Sequence, residues 1–414
     1  MTLIHADKII DIVTRSMNYI DSRLVDHGKR VALIMAEMLW DQPAAMVSRL
    51  CAAALIHDMG AYRTEELNRI VRFETEEVWE HSVYGYLFMR EVTPFRDLAK
   101  VVLYHHAERS RLEREDKQIR FYAQVMCVAD RADCFFTFEN KADEILMQRL
   151  DCPEKFDPAV VARLKKANER CRLREYTRNV SVDAMIRRIR MTEEEAVDYL
   201  KMAVFTIDFR SRFTVNHTIA VAGIARRLAE LKGLDADGAE EVYLGALLHD
   251  LGKISTPLEI LESSGGLNDA EMRIMREHVV VSEKILDGCV SERIKRIAVR
   301  HHERLNGKGY PRGLTAEDLT IQERIVAVAD VVSALYGARS YKAAFSKEKI
   351  LKIIDGMHGE LDSELLQIVT DKIEELMSLG DKESEPVLQA YENSSKEYRK
   401  LMAMMRGEEK FVFA

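Results

Sequence analysis

A histidine and an aspartate stand side by side at the end of an apolar helical run in the C-terminal half of the chain. The run covers residues 242–248, and His249-Asp250-Leu251-Gly252-Lys253 follows it. We expect Gly252 to stop the helix. Divalent metal ions accept imidazole nitrogens and carboxylate oxygens as ligands. A single His-Asp pair is weak evidence for a metal site, because most such pairs are incidental.

The same half of the chain carries further donors of this chemical kind. They are His217, His278, His301, His302 and Asp330. None is a cysteine, whereas structural zinc sites usually recruit thiolates, so the set favours a hydrolytic site for Mn, Fe or Zn. For any one histidine, a core or surface role is the commoner interpretation. For this many donors in this order, a shared metal site is the better one.

A second signature begins at the paired histidines. Residues 301–311 read His-His-Glu-Arg-Leu-Asn-Gly-Lys-Gly-Tyr-Pro. With the order His…His-Asp…His…His-His…Asp, this stretch resembles the HD superfamily of metal-dependent phosphohydrolases. Within it, the match is to the HD-GYP subfamily, the cyclic di-GMP phosphodiesterases. The resemblance spans residues 200–345, and continues through 324–330 to Arg339-Ser340-Tyr341-Lys342.

The resemblance implies two divalent metal ions, Fe or Mn, in one active site. The implied ligands are His217, His249, Asp250, His278, His301, His302 and Asp330. Asp250 is the expected bridge between the ions. A hydroxide held there would attack phosphorus, since binding to a metal lowers the pKa of water to about 7 in the best-studied zinc case. The implied activity is hydrolysis of cyclic di-GMP or a related cyclic dinucleotide.

Other residues of this half are expected to act on the substrate or on the ligands. Lys253 would add a cation beside the transferring phosphate. By the resemblance, Arg339 and Lys342 would contact substrate phosphates, although solvated surface residues are nearly as good an interpretation. Gly309 and Tyr310 would shape the pocket rim. Glu303 is expected to orient a ligand histidine.

Several positions depart from the subfamily pattern. Phe213 stands where some members have a glutamate that recruits a third metal, so we expect two ions. Asn306, Leu258 and Ser333 each replace an aspartate, and Ser340 replaces a proline. None of these changes removes a predicted ligand, so they bear on substrate preference and rate.

The N-terminal half repeats the same donors in the same order. The matching residues are His27, His57, Asp58, His81, His105, His106 and Asp130. Corresponding intervals differ by no more than five residues, and the two sets use ten of the twelve histidines. We infer an internal duplication of the HD unit.

The first copy lacks parts of the second. Ala61 stands in the position of Lys253, and no Gly-Tyr-Pro block follows His106, although Asp130 and Asp133 keep an Asp-x-x-Asp pattern. We predict that this copy retains a second metal pair but lacks the cation that would grip phosphate. A regulatory metal site, a structural one and a divergent activity all remain open.

The elements that must position these donors are predicted to be helices. Only 7 prolines and 19 glycines occur among 414 residues, so we predict an all-α fold of tandem HD-type helical domains. Thr192 and Asn268, each followed three residues later by glutamate, are expected to cap helices. Pro153 and Pro158 should break the charged bridge between the copies into short helices.

The resulting domain prediction has four parts. Residues 1–150 form a divergent HD domain, 151–195 a helical linker, 196–345 the HD-GYP domain, and 346–414 a C-terminal helical extension. Within the extension, residues 380–414 are expected to form a peripheral, solvated helix or tail.

Composition excludes some functions. The net charge is −8, from 61 basic and 69 acidic residues, which argues against a nucleic-acid binder. The six cysteines form no CxxC pair, which indicates reduced core thiols and a cytoplasmic protein. No N-terminal apolar run is long enough for a signal peptide or membrane span. A homodimer contact or a signalling-protein partner remains open.

Two further functions compete with cyclic dinucleotide hydrolysis. The departures from the subfamily pattern and the lysine-less first copy are compatible with a nucleotide-sensing or signalling scaffold without turnover. Hydrolysis of another nucleotide phosphoester is the third hypothesis, and the first copy, without a Gly-Tyr-Pro block, is its better candidate.

Overall fold

The regular structure of this chain is helical. The computed structural model describes residues 4–19, 23, 25–61, 79–92, 95–139, 141–179, 189–190, 192–208, 217–263, 266–337 and 345–406. Across these ranges there are helices and two isolated β-bridges, and no strand. The predicted all-α class is confirmed. Within the same ranges, no helix combines the length and the hydropathy needed to cross a membrane.

The chain divides into two compact units. The N-terminal unit contains Ile9–Tyr199 together with Asn393–Ala414, and the C-terminal unit contains Met1–Lys8 together with Leu200–Glu392. The helix α10 (Glu193–Asp208) contributes to both. It begins as predicted, because the Thr192 hydroxyl accepts the Glu195 N–H at 3.2 Å and the Glu195 carboxylate accepts the Thr192 N–H at 2.8 Å.

The N-terminal unit has nine described helices before α10. They are α1 (Ala6–Met17), α2 (His27–Met38), α3 (Ala44–Ala54), α4 (Glu80–Val92), α5 (Ala99–Leu103), α6 (Lys117–Phe138), α7 (Asp143–Leu150), α8 (Pro158–Cys171) and α9 (Leu173–Asn179). Helix α2 packs against α3 and α6, and α4 packs against α5. Small side chains such as Ala52, Ala53 and Ala54 are fully buried, which lets the backbones of α2 and α3 approach closely.

The segment predicted as a linker packs into this unit. Pro158 occupies the first turn of α8, where its missing N–H costs nothing, and Asp157 caps the helix by accepting the Ala159 N–H at 2.8 Å. Val160 and Leu164 are buried where α8 meets α2 and α6. The predicted break into short helices is confirmed. The domain boundaries at 150 and 195 remain predictions.

The C-terminal unit repeats this plan. Its helices are α11 (His217–Leu231), α12 (Ala236–Leu248), α13 (Leu258–Leu261), α14 (Asp269–Leu286), α15 (Glu292–Val299), α16 (Ile321–Tyr336) and α17 (Lys347–Asp355). Helix α12 packs against α11, α15 and α16, and α11 also packs against α16. The predicted cap at Asn268 is a complete capping box with Glu271.

The last helix corrects one expectation. Helix α18 runs from Ser363 to Met405 with a kink at Lys372, where the backbone is not helical, and its end from residue 393 belongs to the N-terminal unit. There Tyr398 stacks on Tyr84 with ring centroids 4.4 Å apart, and Leu401 and Met405 are buried. The prediction of a peripheral, solvated end is therefore wrong, because this amphipathic segment buries its apolar face in the N-terminal unit.

Candidate functional site

The seven predicted ligands of the second copy converge in the C-terminal unit. His217 begins α11, His278 lies within α14, and Asp330 lies within α16. The two paired motifs follow helix ends: His249-Asp250 comes after α12, and His301-His302 comes after α15. Beyond the end of a helix the backbone no longer follows helical geometry, so two adjacent side chains can be directed toward the same point.

The ligands form two half-sites around one carboxylate. The first half-site is His217, His249 and Asp330, and the second is His278, His301 and His302; donor atoms within each lie no more than 4.8 Å apart. Asp250 faces both. Its Oδ2 lies 3.1 Å from His249 Nε2, and its Oδ1 lies 3.4 Å from His278 Nε2. This disposition suits a carboxylate that bridges two ions.

Backbone contacts decide which histidine nitrogen faces the centre. In each of three histidines, Nδ1 lies within hydrogen-bond distance of the carbonyl three residues earlier: 2.6 Å for His249, 2.5 Å for His278 and 2.7 Å for His301. Because a carbonyl can only accept, Nδ1 carries the proton and Nε2 keeps its lone pair. Among the described residues, His249 Nε2 and Asp250 Oδ1 are buried without a hydrogen-bond partner. Buried polar atoms rarely lack a partner, and two bound cations would provide partners for these atoms.

The protonation states also suit metal binding. Burial lowers the pKa of His278 to about 4 and that of His302 to about 3, so both are neutral ligands at neutral pH. Burial alone would raise the pKa of Asp250, but the charges of His249 and Lys253 hold it well below its ordinary value. At neutral pH the centre thus presents neutral imidazoles at His278 and His302 and ionised carboxylates at Asp250 and Asp330, while, despite burial, the adjacent Asp250 carboxylate raises the pKa of His249.

One side of this centre is partly exposed, and Lys253 lies there. Its Nζ is 2.5 Å from Asp250 Oδ2, and its side chain is 18% exposed. His217 and His302 keep 13% and 21% of their side-chain surface exposed. The predicted cation therefore lies beside the candidate bridging carboxylate, on an accessible face.

The Gly-Tyr-Pro loop folds onto a ligand. Tyr310 stacks on His302, with ring centroids 4.6 Å apart and planes 30° apart. Gly309 lets the loop pass close to the backbone of residue 303, since a Cβ at Gly309 would lie 2.4 Å from Glu303 Cα. Arg276 lies over the Tyr310 ring at 4.8 Å. The sequence analysis did not identify Arg276, because residues two apart on a helix point in different directions and its spacing from His278 gives no signal.

Glu303 has a different role from the predicted one. It is buried, and its two oxygens accept the backbone N–H groups of Arg312 at 2.7 Å and Leu314 at 2.9 Å. It therefore holds the loop that carries Tyr310. The expectation that it orients a ligand histidine is not met, because both of its oxygens are directed to the backbone of this loop.

Gly252 also corrects an expectation. It lies within a 3₁₀ turn, Leu251–Ser255, and α12 has already ended at Leu248, so Gly252 is not what stops the helix. A Cβ at Gly252 would lie 1.9 Å from the carbonyl oxygen of His278, and one at Gly60 would lie 2.2 Å from that of His81. In both copies this glycine lets the helix bearing the third histidine approach the His-Asp pair.

The first copy builds the same two half-sites in the N-terminal unit. The first is His27, His57 and Asp130, and the second is Asp58, His81, His105 and His106. Asp58 again faces both: its Oδ2 is 3.5 Å from His27 Nε2, and its Oδ1 is 3.5 Å from His81 Nε2. All seven predicted ligands meet, and every one except Asp58 is buried.

The two copies differ around the first histidine. In the first copy, Asp133 lies 2.7 Å from His27 Nδ1 and is held by Arg30 at 2.6 Å. In the second, the Ser333 hydroxyl lies 3.1 Å from His217 Nδ1. The Asp-x-x-Asp pattern noted in the sequence thus places a carboxylate behind a ligand. Arg339 and Lys342, the predicted phosphate contacts, lie outside the described residues, as does Phe213.

Family comparisons agree with this geometry. A model described as an HD domain matches residues 186–365, and a second HD-domain model matches residues 24–133. The chain belongs to the HD superfamily and carries two HD domains in tandem, as predicted. Its C-terminal copy, with the Gly-Tyr-Pro loop, is of the HD-GYP type.

Curated relatives share one or both halves. The 3'3'-cGAMP-specific phosphodiesterase 1 of Vibrio cholerae is 26% identical over 402 residues, covering 90% of this chain and 93% of the relative. A cyclic di-GMP phosphodiesterase response regulator of Xanthomonas campestris is 36% identical over 172 residues, which is 41% of this chain. This chain matches only 46% of that second relative's length.

A solved structure shares the fold. The crystal structure of a cyclic GMP-AMP specific phosphodiesterase of Vibrio cholerae superposes with a TM-score of 0.56 at 17% identity, covering 89% of this chain and 97% of that one.

Proposed function

We propose that this protein is a metal-dependent phosphodiesterase that opens a cyclic dinucleotide at its C-terminal centre. One observation carries the proposal: Asp250 faces two half-sites of histidines while Lys253 lies against it on an exposed side. A phosphodiester is an anion with a poor leaving group. Such a substrate needs a nucleophile and neutralisation of charge, and this centre offers residues for both.

Divalent cations fit the donor set. His217, His249, Asp250 and Asp330 would hold one ion, and Asp250, His278, His301 and His302 the other. When bound, the ions would supply a water activated near neutral pH and positive charge for the phosphoryl oxygens. Fe and Mn both suit imidazole and carboxylate donors.

The protein's own residues have distinct tasks in this scheme. Lys253 places an ammonium group beside the bridging carboxylate, where it can neutralise charge that grows on the phosphoryl oxygens. The guanidinium of Arg276 lies on the ring of Tyr310, which covers His302. The positive charges of Lys253 and Arg276 and the ring of Tyr310 suit the phosphates and bases of a cyclic dinucleotide.

The full-length relative guides the choice of substrate. The Vibrio cholerae phosphodiesterase that matches both HD copies is named for 3'3'-cGAMP, whereas the cyclic di-GMP phosphodiesterase of Xanthomonas campestris matches less than half of this chain. We therefore place 3'3'-cyclic GMP-AMP first among substrates to test, with cyclic di-GMP second.

Purified chain loaded anaerobically with Mn or Fe should be assayed on 3'3'-cyclic GMP-AMP, cyclic di-GMP and cyclic di-AMP, with product identification. We expect turnover that Asp250→Ala abolishes. Asp58→Ala, the matched change in the N-terminal unit, should retain turnover. Metal-loaded protein that cleaves none of the three would contradict the proposal.

The scaffold hypothesis makes a different prediction in the same experiment. Unhydrolysed ligand would bind tightly, and Asp250→Ala would leave a signalling partner's binding unchanged. Hydrolysis of another nucleotide phosphoester at the N-terminal centre would instead be lost in Asp58→Ala and kept in Asp250→Ala.

A further inference from the structure

In the N-terminal centre, an arginine occupies a sequence position at which the C-terminal copy has a valine. Arg131 follows Asp130 directly in α6, where Val331 follows Asp330 in the second copy. Its side chain is completely buried. Its Nη2 contacts His106 Nδ1 and lies 3.8 Å from Asp130 Oδ2. The guanidinium therefore joins a ligand of one half-site to a ligand of the other.

This contact removes His106 from the ligand set. A guanidinium can only donate, so His106 Nδ1 must accept, and the single proton of the neutral imidazole then lies on Nε2. Binding a metal through Nδ1 would displace Arg131. Binding it through Nε2 would require a doubly deprotonated ring. The carboxylate does not distinguish the copies, because His106 Nδ1 lies 3.9 Å from Asp130 and the corresponding His302 Nδ1 lies 3.8 Å from Asp330. The arginine contact is present in the first copy, where the second has Val331.

In the first half-site of the same unit, by contrast, the histidine nitrogens are arranged to bind a metal ion. Asp133 fixes the proton of His27 on Nδ1, and Arg30 holds Asp133 with two contacts of 2.6 and 3.0 Å. His27 Nε2 then faces Asp130 Oδ1 at 3.2 Å. The Nε2 atoms of His27, His57 and His106 are all buried without a hydrogen-bond partner among the described residues. Those of His27 and His57 keep a lone pair, because the Nδ1 atoms face Asp133 and the Ala54 carbonyl, whereas Nε2 of His106 carries the proton. A carboxylate behind a ligand histidine is the usual way in which proteins orient a metal ligand.

Burial makes a second ion costly in this unit. The Arg30–Asp133 pair is neutral, so Asp58, Asp130 and Arg131 together carry one net negative charge. One dication makes the centre singly positive, and two make it triply positive. The C-terminal centre has the same charge balance from Asp250, Asp330 and Lys253, so the two units differ in exposure: Lys253 and His302 keep 18% and 21% of their side-chain surface exposed, whereas Arg131 and His106 are fully buried. Asp58 exposes 12% of its side chain, and the other predicted ligands of this unit are buried, so incoming anions cannot readily offset that charge.

We propose that the N-terminal centre binds a single divalent cation in its first half-site, through His27, His57, Asp58 and Asp130, with Arg131 taking the place of the second ion. Such a closed centre suits a structural or regulatory metal. This inference is independent of what the C-terminal centre hydrolyses.

The test is the metal stoichiometry of the N-terminal unit. In the full chain carrying Asp250→Ala and His301→Ala, the C-terminal centre loses its bridging carboxylate and a ligand. After loading with Mn(II) and removal of excess ion, we expect one Mn per chain and the six-line electron paramagnetic resonance signal of an isolated ion. Adding Asp58→Ala should remove it.

Replacing the arginine tests its role directly. Arg131→Val, which copies the second centre, should raise the content from one Mn to two and produce the spectrum of a coupled pair. Arg131→Met preserves more side-chain volume and should do the same if Arg131→Val folds poorly by circular dichroism. Two ions with Arg131 present, no ion at all, or an unchanged content in a folded Arg131 variant would each overturn the proposal.

Discussion

Tyr310 lies nearly flat on the imidazole of His302, with ring centroids 4.6 Å apart. Aromatic pairs of this kind contribute about 0.5–1.5 kcal/mol beyond their buried area. We therefore expect Tyr310→Ala to lower kcat/KM by roughly 2- to 10-fold, while Tyr310→Phe stays near wild type. Steady-state kinetics on whichever cyclic dinucleotide the proposed assay shows to be cleaved would test this, and equal losses in both variants would show that the hydroxyl, and not the ring, is important.

Lys253 is expected to act on the transition state. Lys253→Ala copies Ala61 of the first copy and should lower kcat by about 100-fold, the usual loss when one stabilising donor is removed. Metal content should be unchanged, because removing a cation beside Asp250 does not weaken its attraction for metal ions. Parallel metal analysis and kinetics would test this. A loss of metal that accounts for the loss of rate would contradict the assigned role.

Glu303 is expected to govern the order of the loop. In Glu303→Gln, the amide nitrogen must face a backbone N–H of Arg312 or Leu314, which leaves a donor unsatisfied at a cost of about 1–3 kcal/mol. We expect a lower Tm and a higher KM, with metal content unchanged. Glu317→Gln, a change at an exposed position of the same unit, should alter neither. Loss of metal in Glu303→Gln would instead support the earlier expectation of a ligand-orienting role.

Gly252 and Gly60 permit a close approach in each unit. Adding a methyl group against a backbone carbonyl should destabilise the fold by about 1–3 kcal/mol. Gly252→Ala should therefore lower the Tm and weaken metal binding at the C-terminal centre. Gly60→Ala should lower the Tm and weaken metal binding at the N-terminal centre. Gly266→Ala is the control, since no atom lies within 4 Å of a Cβ at that position. Calorimetry and metal analysis of the three variants would test this prediction. A Gly252→Ala variant with unchanged Tm and metal content would contradict it.

The hydroxyl of Ser333 is expected to orient His217. Removing a partner behind a ligand histidine typically weakens metal binding by about 10- to 100-fold. Ser333→Ala should therefore lower the Mn affinity of the C-terminal centre, and Ser333→Asp, which copies Asp133, should not. Competition titrations with a metal indicator would measure both. Identical affinities in wild type and Ser333→Ala would show that the 3.1 Å contact to His217 is unimportant.

Much of this molecule could be predicted from the sequence because the relevant signals are local. Thr192 and Asn268 cap helices through groups three residues away, and the His-Asp pair comes directly after an apolar helical run. The order of donors in two copies, from His27 to Asp130 and again from His217 to Asp330, also follows from the chain alone. The sequence by itself therefore determined the helical class, the duplication and the candidate ligands.

The tertiary structure decided what depends on distance through space. Glu303 lies next to the ligand histidines in sequence, yet folding brings its oxygens to the backbone of residues 312 and 314. The end of α18 has a charged composition, yet it buries Met405 in the N-terminal unit. Arg131 looks like an ordinary helix residue until the packing of α6 places its guanidinium against His106, 25 residues away. Such contacts join segments that lie far apart in the sequence, and no helical or strand periodicity links them. Only the folded chain therefore reveals these contacts.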